Sequence, residues 1–194
     1  MDPSELLHPP ADVCPEIACF VCWLHTFYER HPAWDEIMGP LLARTRDSRR
    51  APDVTAARRW LAIDAAVREA SPRALRALAD LLRPIAPGVL ERDGQVTAEV
   101  LRSHAAALEA VSPVGPQRDA ATLAVLRGAF AACAAVRGGV IARGVRAALR
   151  AADAGTIFDA AMAFGYPKRL FGTNEGAHWL RAASGVVHRM ISTA

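Results

Sequence analysis

Residues Asp119 to Ala151 read DAATLAVLRGAFAACAAVRGGVIARGVRAALRA, and this stretch decides the fold class. From Ala120 to Val136 nearly every residue is apolar or small, with Arg127 as the exception. A helix that is apolar on all sides lies either inside a bundle or in a membrane. A membrane span needs about 20 apolar residues. The shorter run, which also contains an arginine, therefore predicts a central helix that is buried in protein.

A second helix is predicted from Val140 onward. Gly138-Gly139 ends the central helix, since glycine is favoured just past a helix end. The arginines that follow are spaced by three and four residues, so they share one helix face: Arg143, Arg146 and Arg150. The net charge of the chain is only +3, whereas a nucleic-acid footprint normally raises the charge of the whole domain. We therefore expect a solvated arginine face and no nucleic-acid partner.

Composition supports the same fold class. Apolar residues make up 52% of the 194 residues, which is enough for a sizeable core in one domain. Alanine, leucine and arginine dominate and favour helix, while no segment alternates as a half-buried strand would. We predict a single all-α domain over residues 1–194, a bundle of about seven to nine helices with residues 1–13 as an irregular arm.

Turn residues and caps predict where the helices before the central pair begin and end. A first helix should begin at Pro15, a favoured first position, and run to about His31. The short turn AWDEIM follows, and Pro40 should close it. The next helix should run from Asp53 to Ala70, and Ser71-Pro72 should then cap and start a new one. Its predicted sequence is PRALRALADLLRPI.

Apolar periodicity predicts a further helix near residues 95–111 and a last one over HWLRAASGVVHRMI. Between them, Thr156 with Asp159 three residues on resembles a capping box, which predicts a helix that starts near Thr156. The side chains predicted to face the core of the first helix are Ile17, Phe20, Val21, Leu24 and Tyr28. Those of the helix after Asp53 are Trp60, Leu61, Ile63 and Val67. Those of the last helix are Trp179, Leu180, Ala183, Val187 and Met190.

Residues with metal or catalytic chemistry are few. Cys14, Cys19 and Cys22 have the spacing C-x4-C-x2-C, and Cys19, Cys22 and His25 step by three along one helix, a spacing that can serve zinc. Free cysteine is more often a small buried apolar residue, so we expect no metal and no cofactor. No phosphate loop or catalytic triad motif is present in the sequence, and we do not expect an enzyme. The start of the chain, MDPSELLHPP, does not fit a secretory signal, so we expect a soluble cytoplasmic protein without a transmembrane anchor.

Four stretches, taken in chain order, resemble the Bcl-2 family of helical regulators of programmed cell death. Residues Glu16 to Glu36, EIACFVCWLHTFYERHPAWDE, resemble the N-terminal homology helix of that family. Ala98 to Leu108, AEVLRSHAAAL, resembles its third homology helix, although Ala106 stands where an aspartate is usual. Val136 to Val145 is similar to the first homology motif, and Asn174 to Trp179 to the second.

The resemblance implies a hydrophobic surface groove that receives an amphipathic helix of a protein partner. An arginine at the edge of the groove, Arg143 or Arg146, would pair with an aspartate of that helix. The partner-binding residues that the resemblance implies are Val100, Leu101, His104, Leu108, Val140, Arg143 and Arg146. The resemblance would fit a divergent viral member without a membrane anchor, and formation of a homo-oligomer stays open.

Two other classes of function stay open at this point. A helical scaffold or coat-like assembly subunit would have the same composition and would self-associate. A small metal or redox protein would use Cys19, Cys22 and His25, and would lose its metal on substitution of Cys22. Fold class does not by itself decide among these functions.

Overall fold

A computed structural model describes residues 5, 8–82, 98–113, 115 and 173–193. Its regular structure is helical throughout the described part, without a strand, as predicted. The elements, in chain order, are α1 (Pro15–Tyr28), α2 (Trp34–Arg44), α3 (Pro52–Ala65), a π-helical turn (Ala66–Ala70), α4 (Ser71–Leu82), α5 (Ala98–Ala110) and α6 (Thr173–Ser192). The predicted central pair over residues 120–151 lies outside the described residues, so the count of seven to nine helices and the bundle stay predictions.

The chain divides into two compact units. The first takes in the chain up to Ala62 together with α6, and the second starts at Ile63 and includes α4 and α5. The single domain predicted over residues 1–194 stays a prediction. None of the helices in the described part is both long enough and apolar enough to cross a membrane.

In the first unit, α6 packs on α1 and α2. The predicted stripe of α1 is buried, with Ile17, Phe20 and Leu24 fully inaccessible. The five core residues predicted for α6 are all buried, from Trp179 to Met190. Periodicity therefore predicted both faces correctly, because a helix side chain repeats on the same face every three or four residues.

The helix α2 continues past a proline that was expected to end it. It runs through Pro40 to Arg44, with Met38 and Leu41 buried. A proline inside a helix removes the hydrogen bond to the carbonyl four residues back. Burial of apolar side chains on both sides of the proline offsets that loss, since each buried side chain of this size is worth about 1.5–3 kcal/mol.

The predicted break at Ser71-Pro72 is also wrong, because the helix is continuous from α3 through the π-helical turn into α4. Both the backbone N–H and the hydroxyl of Ser71 donate to the carbonyl of Ala66, the hydroxyl at 2.6 Å. Ser71 therefore does not cap a new helix. The wide turn comes directly before Pro72, whose ring would clash with the carbonyl of Arg68 in a regular α-helix.

The inward face of α3 differs from the prediction. Ile63 and Val67 of the predicted face are fully buried, but Trp60 and Leu61 are only half-buried. Arg58, which was not among the residues predicted to face inward, is 0% exposed. A buried arginine is uncommon, so the apolar pattern of the sequence predicts that Trp60 and Leu61 lie inward and does not predict that Arg58 does.

The Arg58 guanidinium ties together three segments of the first unit. It donates to the carbonyl oxygen of Ser48, to that of Thr193 at 2.8 Å and, at a longer 3.5 Å, to that of Ile191. Ser48 in turn accepts a hydrogen bond on its hydroxyl oxygen from the backbone N–H of Cys14, at 2.9 Å. The loop between α2 and α3 and the end of α6 therefore meet at one buried side chain, and the start of α1 is joined to them through Ser48.

We predict that Arg58→Met lowers the free energy of unfolding by about 2–4 kcal/mol, because buried carbonyl oxygens lose their donors. The matched control is Arg59→Met, the next residue of the same helix. Arg59 pairs with Glu16, and the Arg59 side chain is 43% exposed while that of Glu16 is 16% exposed. Because the arginine itself stays in contact with water, its loss should cost less than the loss of Arg58. Urea denaturation of both variants measures the difference. Equal stabilities for the two variants would contradict the role assigned to Arg58.

Candidate functional site

The helix that carries most of the predicted partner-binding residues, α5, packs against α4 in the second unit. Its packed face consists of Leu101, Ala105 and Leu108, each 0% exposed. These residues are spaced by four and three, so they form one stripe along the helix. Leu75 of α4 is also fully buried. Leu101 and Leu108 are therefore core residues that hold α5 in place.

Ion pairs join one flank of α5 to α4, and we call this the charged flank (Arg102 and Glu109). Arg102 Nη2 lies 2.8 Å from Asp80 Oδ1. Arg76 faces Glu109 with both terminal nitrogens, Nη1 on Oε1 and Nη2 on Oε2, the second at 2.6 Å. The two-pronged hydrogen bond from Arg76 lowers the pKa of Glu109. This geometry fixes the rotation of α5 about its own axis.

The other flank of α5 is partly open, and we call it the outer flank (Val100, His104, Ala107 and Val111). Val100, His104 and Ala107 are spaced by four and three, which places them side by side along the helix, and Val111 follows directly after its last residue, Ala110. Val100 is 39% exposed, and no other large hydrophobic side chain that the structure describes is exposed to that extent. His104, Ala107 and Val111 are half-buried. The outer flank thus offers a mostly apolar strip with one imidazole.

The structure separates the predicted partner-binding residues into groups. Val100 and His104 lie on the accessible outer flank, whereas Leu101 and Leu108 lie in the core. The remaining three, Val140, Arg143 and Arg146, lie outside the described residues. Ala107 extends the outer flank, and helical spacing from Val100 and His104 was the signal that could have identified it.

The cysteines and histidine considered for metal are spread over different environments. Cys14 is buried, Cys19 is exposed and Cys22 is half-buried. The ring of His25 packs edge-on against Trp34, with the ring centroids 5.2 Å apart. No three His, Cys, Asp or Glu side chains within the described ranges are grouped so that they could hold a metal ion.

Comparison of the chain with protein-family models, with curated proteins and with solved structures gives no match. The resemblance to the Bcl-2 family therefore depends on the motifs quoted above.

We predict that the Arg76–Glu109 pair adds stability near neutral pH and loses it in acid. The folded-state pKa of Glu109 is lowered by Arg76, so the stabilisation is present above the unfolded-state pKa and disappears as the pH falls through the lowered value. Both side chains are more than two-fifths exposed, which limits the coupling to about 1 kcal/mol.

A double-mutant cycle with Arg76→Ala and Glu109→Gln measures that coupling by chemical denaturation. It should be detectable at about pH 7 and should be smaller at an acid pH below the lowered pKa of Glu109, where the carboxyl is protonated in both the folded and the unfolded state. A coupling energy that is unchanged between the two pH values would show that packing, not charge, connects the two side chains.

Proposed function

We propose that this protein acts by protein–protein contact, as a Bcl-2-like regulator that binds an amphipathic pro-death helix in a hydrophobic surface groove. The observation that carries the proposal is the outer flank of α5, where Val100 remains exposed beside His104 while the neighbouring leucines are buried. An apolar strip on a packed helix is the kind of surface that receives a partner helix through anchors at i, i+3, i+4 and i+7.

Two further features support the proposal. The stretch that carries α5 is one of the four that resemble homology motifs of the family, and it lies in the described part. The all-helical structure of that part is compatible with the fold that the resemblance implies. Arg143 and Arg146 are proposed to pair with the aspartate of the bound helix, as the resemblance implies.

The charged flank fixes the helix that carries the outer flank. The ion pairs of Arg102 and Glu109 with α4 hold the charged flank on that helix. The buried stripe of Leu101, Ala105 and Leu108 packs α5 against α4. A surface that is already in place loses little conformational entropy when it binds. We therefore propose that α5 binds its partner without a rearrangement of α4 and α5.

The test is a titration of a panel of fluorescently labelled pro-death helix peptides, followed by anisotropy. We expect saturable binding below micromolar concentration, which Val100→Asp weakens at least tenfold because a charge enters the apolar strip. The control is Ala106→Asp, an exposed position of α5 off the outer flank, which should bind like the unchanged protein. Circular dichroism would verify that both variants remain folded.

The same titration also tests the proposed contact between the arginines and the aspartate of the peptide. Arg143→Ala with Arg146→Ala should weaken binding, and replacement of the peptide's aspartate by alanine should cost about 1.5–3 kcal/mol, the worth of a charged hydrogen bond. No binding by any peptide would contradict the proposal. Self-association at micromolar concentration without peptide binding would instead indicate the scaffold function.

A further inference from the structure

The solvent-facing side of α1 carries two thiols that are one helical turn apart. Cys19 is exposed and Cys22 is half-buried, and the buried stripe of Ile17, Phe20 and Leu24 lies on the opposite face. Residues three apart on an α-helix are neighbours, with about 5–6 Å between their Cβ atoms. The two sulfur atoms therefore belong to one surface and are both within reach of a small reagent.

A disulfide between these residues would require a tighter turn than the α-helix provides. Bonded cysteines have their Cβ atoms about 3.5–4.5 Å apart, which is at least ~1 Å less than the helical spacing. In a 3₁₀-helix the side chains at i and i+3 eclipse each other, which brings them closer. Closure of the bond would thus convert this turn of α1 toward 3₁₀ geometry.

Two contacts make this turn of α1 suited to such a change. The hydroxyl of Thr26 donates to the carbonyl of Cys22 at 3.0 Å across the following turn, and such a back-bond slightly destabilises and bends a helix. Glu16 anchors Arg59 beside the turn. The hydrogen bond with Glu16 is the largest cause of the raised pKa of Arg59, and the electrostatic interaction with Cys19 raises that pKa by a smaller amount. A nearby guanidinium favours the thiolate, which is the attacking species in disulfide exchange.

We propose that Cys19 and Cys22 are a reversible oxidation site, which a small-molecule disulfide such as oxidised glutathione converts to an intrahelical disulfide. The Cys19 thiolate attacks one sulfur of oxidised glutathione, forms a mixed disulfide and releases one glutathione thiolate. The Cys22 thiolate then attacks the Cys19 sulfur and releases the second. The two protons of the protein thiols go to the two glutathiones, so two thiols are oxidised and one disulfide is reduced.

The consequence of oxidation follows from what lies on the other face of the same turn. Phe20 and Val21, between the two cysteines, are fully buried, so a change of helical pitch moves core side chains. Core packing therefore opposes formation of the disulfide. A reductant should reduce the disulfide of the folded protein readily, since strained disulfides have more oxidising reduction potentials. This site is independent of the proposed helix-binding function.

The experiment treats the 194-residue protein with oxidised glutathione, alkylates the remaining thiols and measures the intact mass. We expect the loss of two hydrogens and of two alkylation sites. Chymotrypsin cleaves after Phe20 and leaves the two cysteines on separate peptides, which should stay joined until a reductant is added. The melting temperature of the oxidised protein should fall by a few degrees, with full recovery after reduction.

The control variants separate this site from the other two cysteines. Cys133→Ser and Cys14→Ser should retain the two-hydrogen loss, whereas Cys19→Ser and Cys22→Ser should each abolish it and give at most a single glutathione adduct. A disulfide that involves Cys14 or Cys133, stable glutathione adducts on both Cys19 and Cys22, or an unchanged melting temperature after oxidation would each overturn the proposal.

Discussion

A buried guanidinium holds together segments of the first unit that lie far apart in the sequence. Arg58 is fully buried, and its partners are backbone carbonyl oxygens at Ser48, Ile191 and Thr193. A charge in the interior costs several kcal/mol unless it is hydrogen-bonded. Each of these carbonyls must therefore stay in place for the unit to tolerate the arginine, which makes this contact a demanding constraint on the loop and on the end of α6.

That constraint extends to α1 through a second hydrogen bond. The first helix has no side-chain cap of its own at Cys14, and the hydroxyl of Ser48 accepts from the Cys14 backbone N–H instead. The hydroxyl oxygen of Ser48 thus accepts a hydrogen bond from the start of α1, and its carbonyl oxygen accepts one from Arg58. The position of α1 and the position of α6 are consequently linked through one loop residue.

Sequence patterns predicted the helices better than their ends. The core faces of α1 and α6 followed from apolar spacing, as the burial of Leu24 and Leu180 confirms. The expected breaks at Pro40 and at Ser71-Pro72 were wrong, because local propensity is weak compared with the burial of the flanking side chains. Arg58 could not be predicted as a core residue, since the carbonyls that satisfy it come from distant parts of the chain.

The candidate site was only partly predictable for a related reason. Periodicity placed Val100, Leu101, His104 and Leu108 on one side of α5, and the structure resolves that side into a buried stripe and an accessible flank. The rotation of α5 about its axis decides which of these four residues lies inward. The ion pairs Arg102–Asp80 and Arg76–Glu109, which join α5 to α4, fix that rotation. Pairs between helices leave no signal in the periodicity of either helix.

The central claim is that the outer flank of α5 is the surface that contacts a partner helix, and NMR of the histidine rings during peptide addition tests it most directly. His104 lies on the outer flank, and His188 is exposed on α6 and serves as the internal reference. The account predicts that the His104 resonances shift and saturate with the peptide while those of His188 stay in place. Saturable peptide binding that leaves His104 unchanged would contradict it.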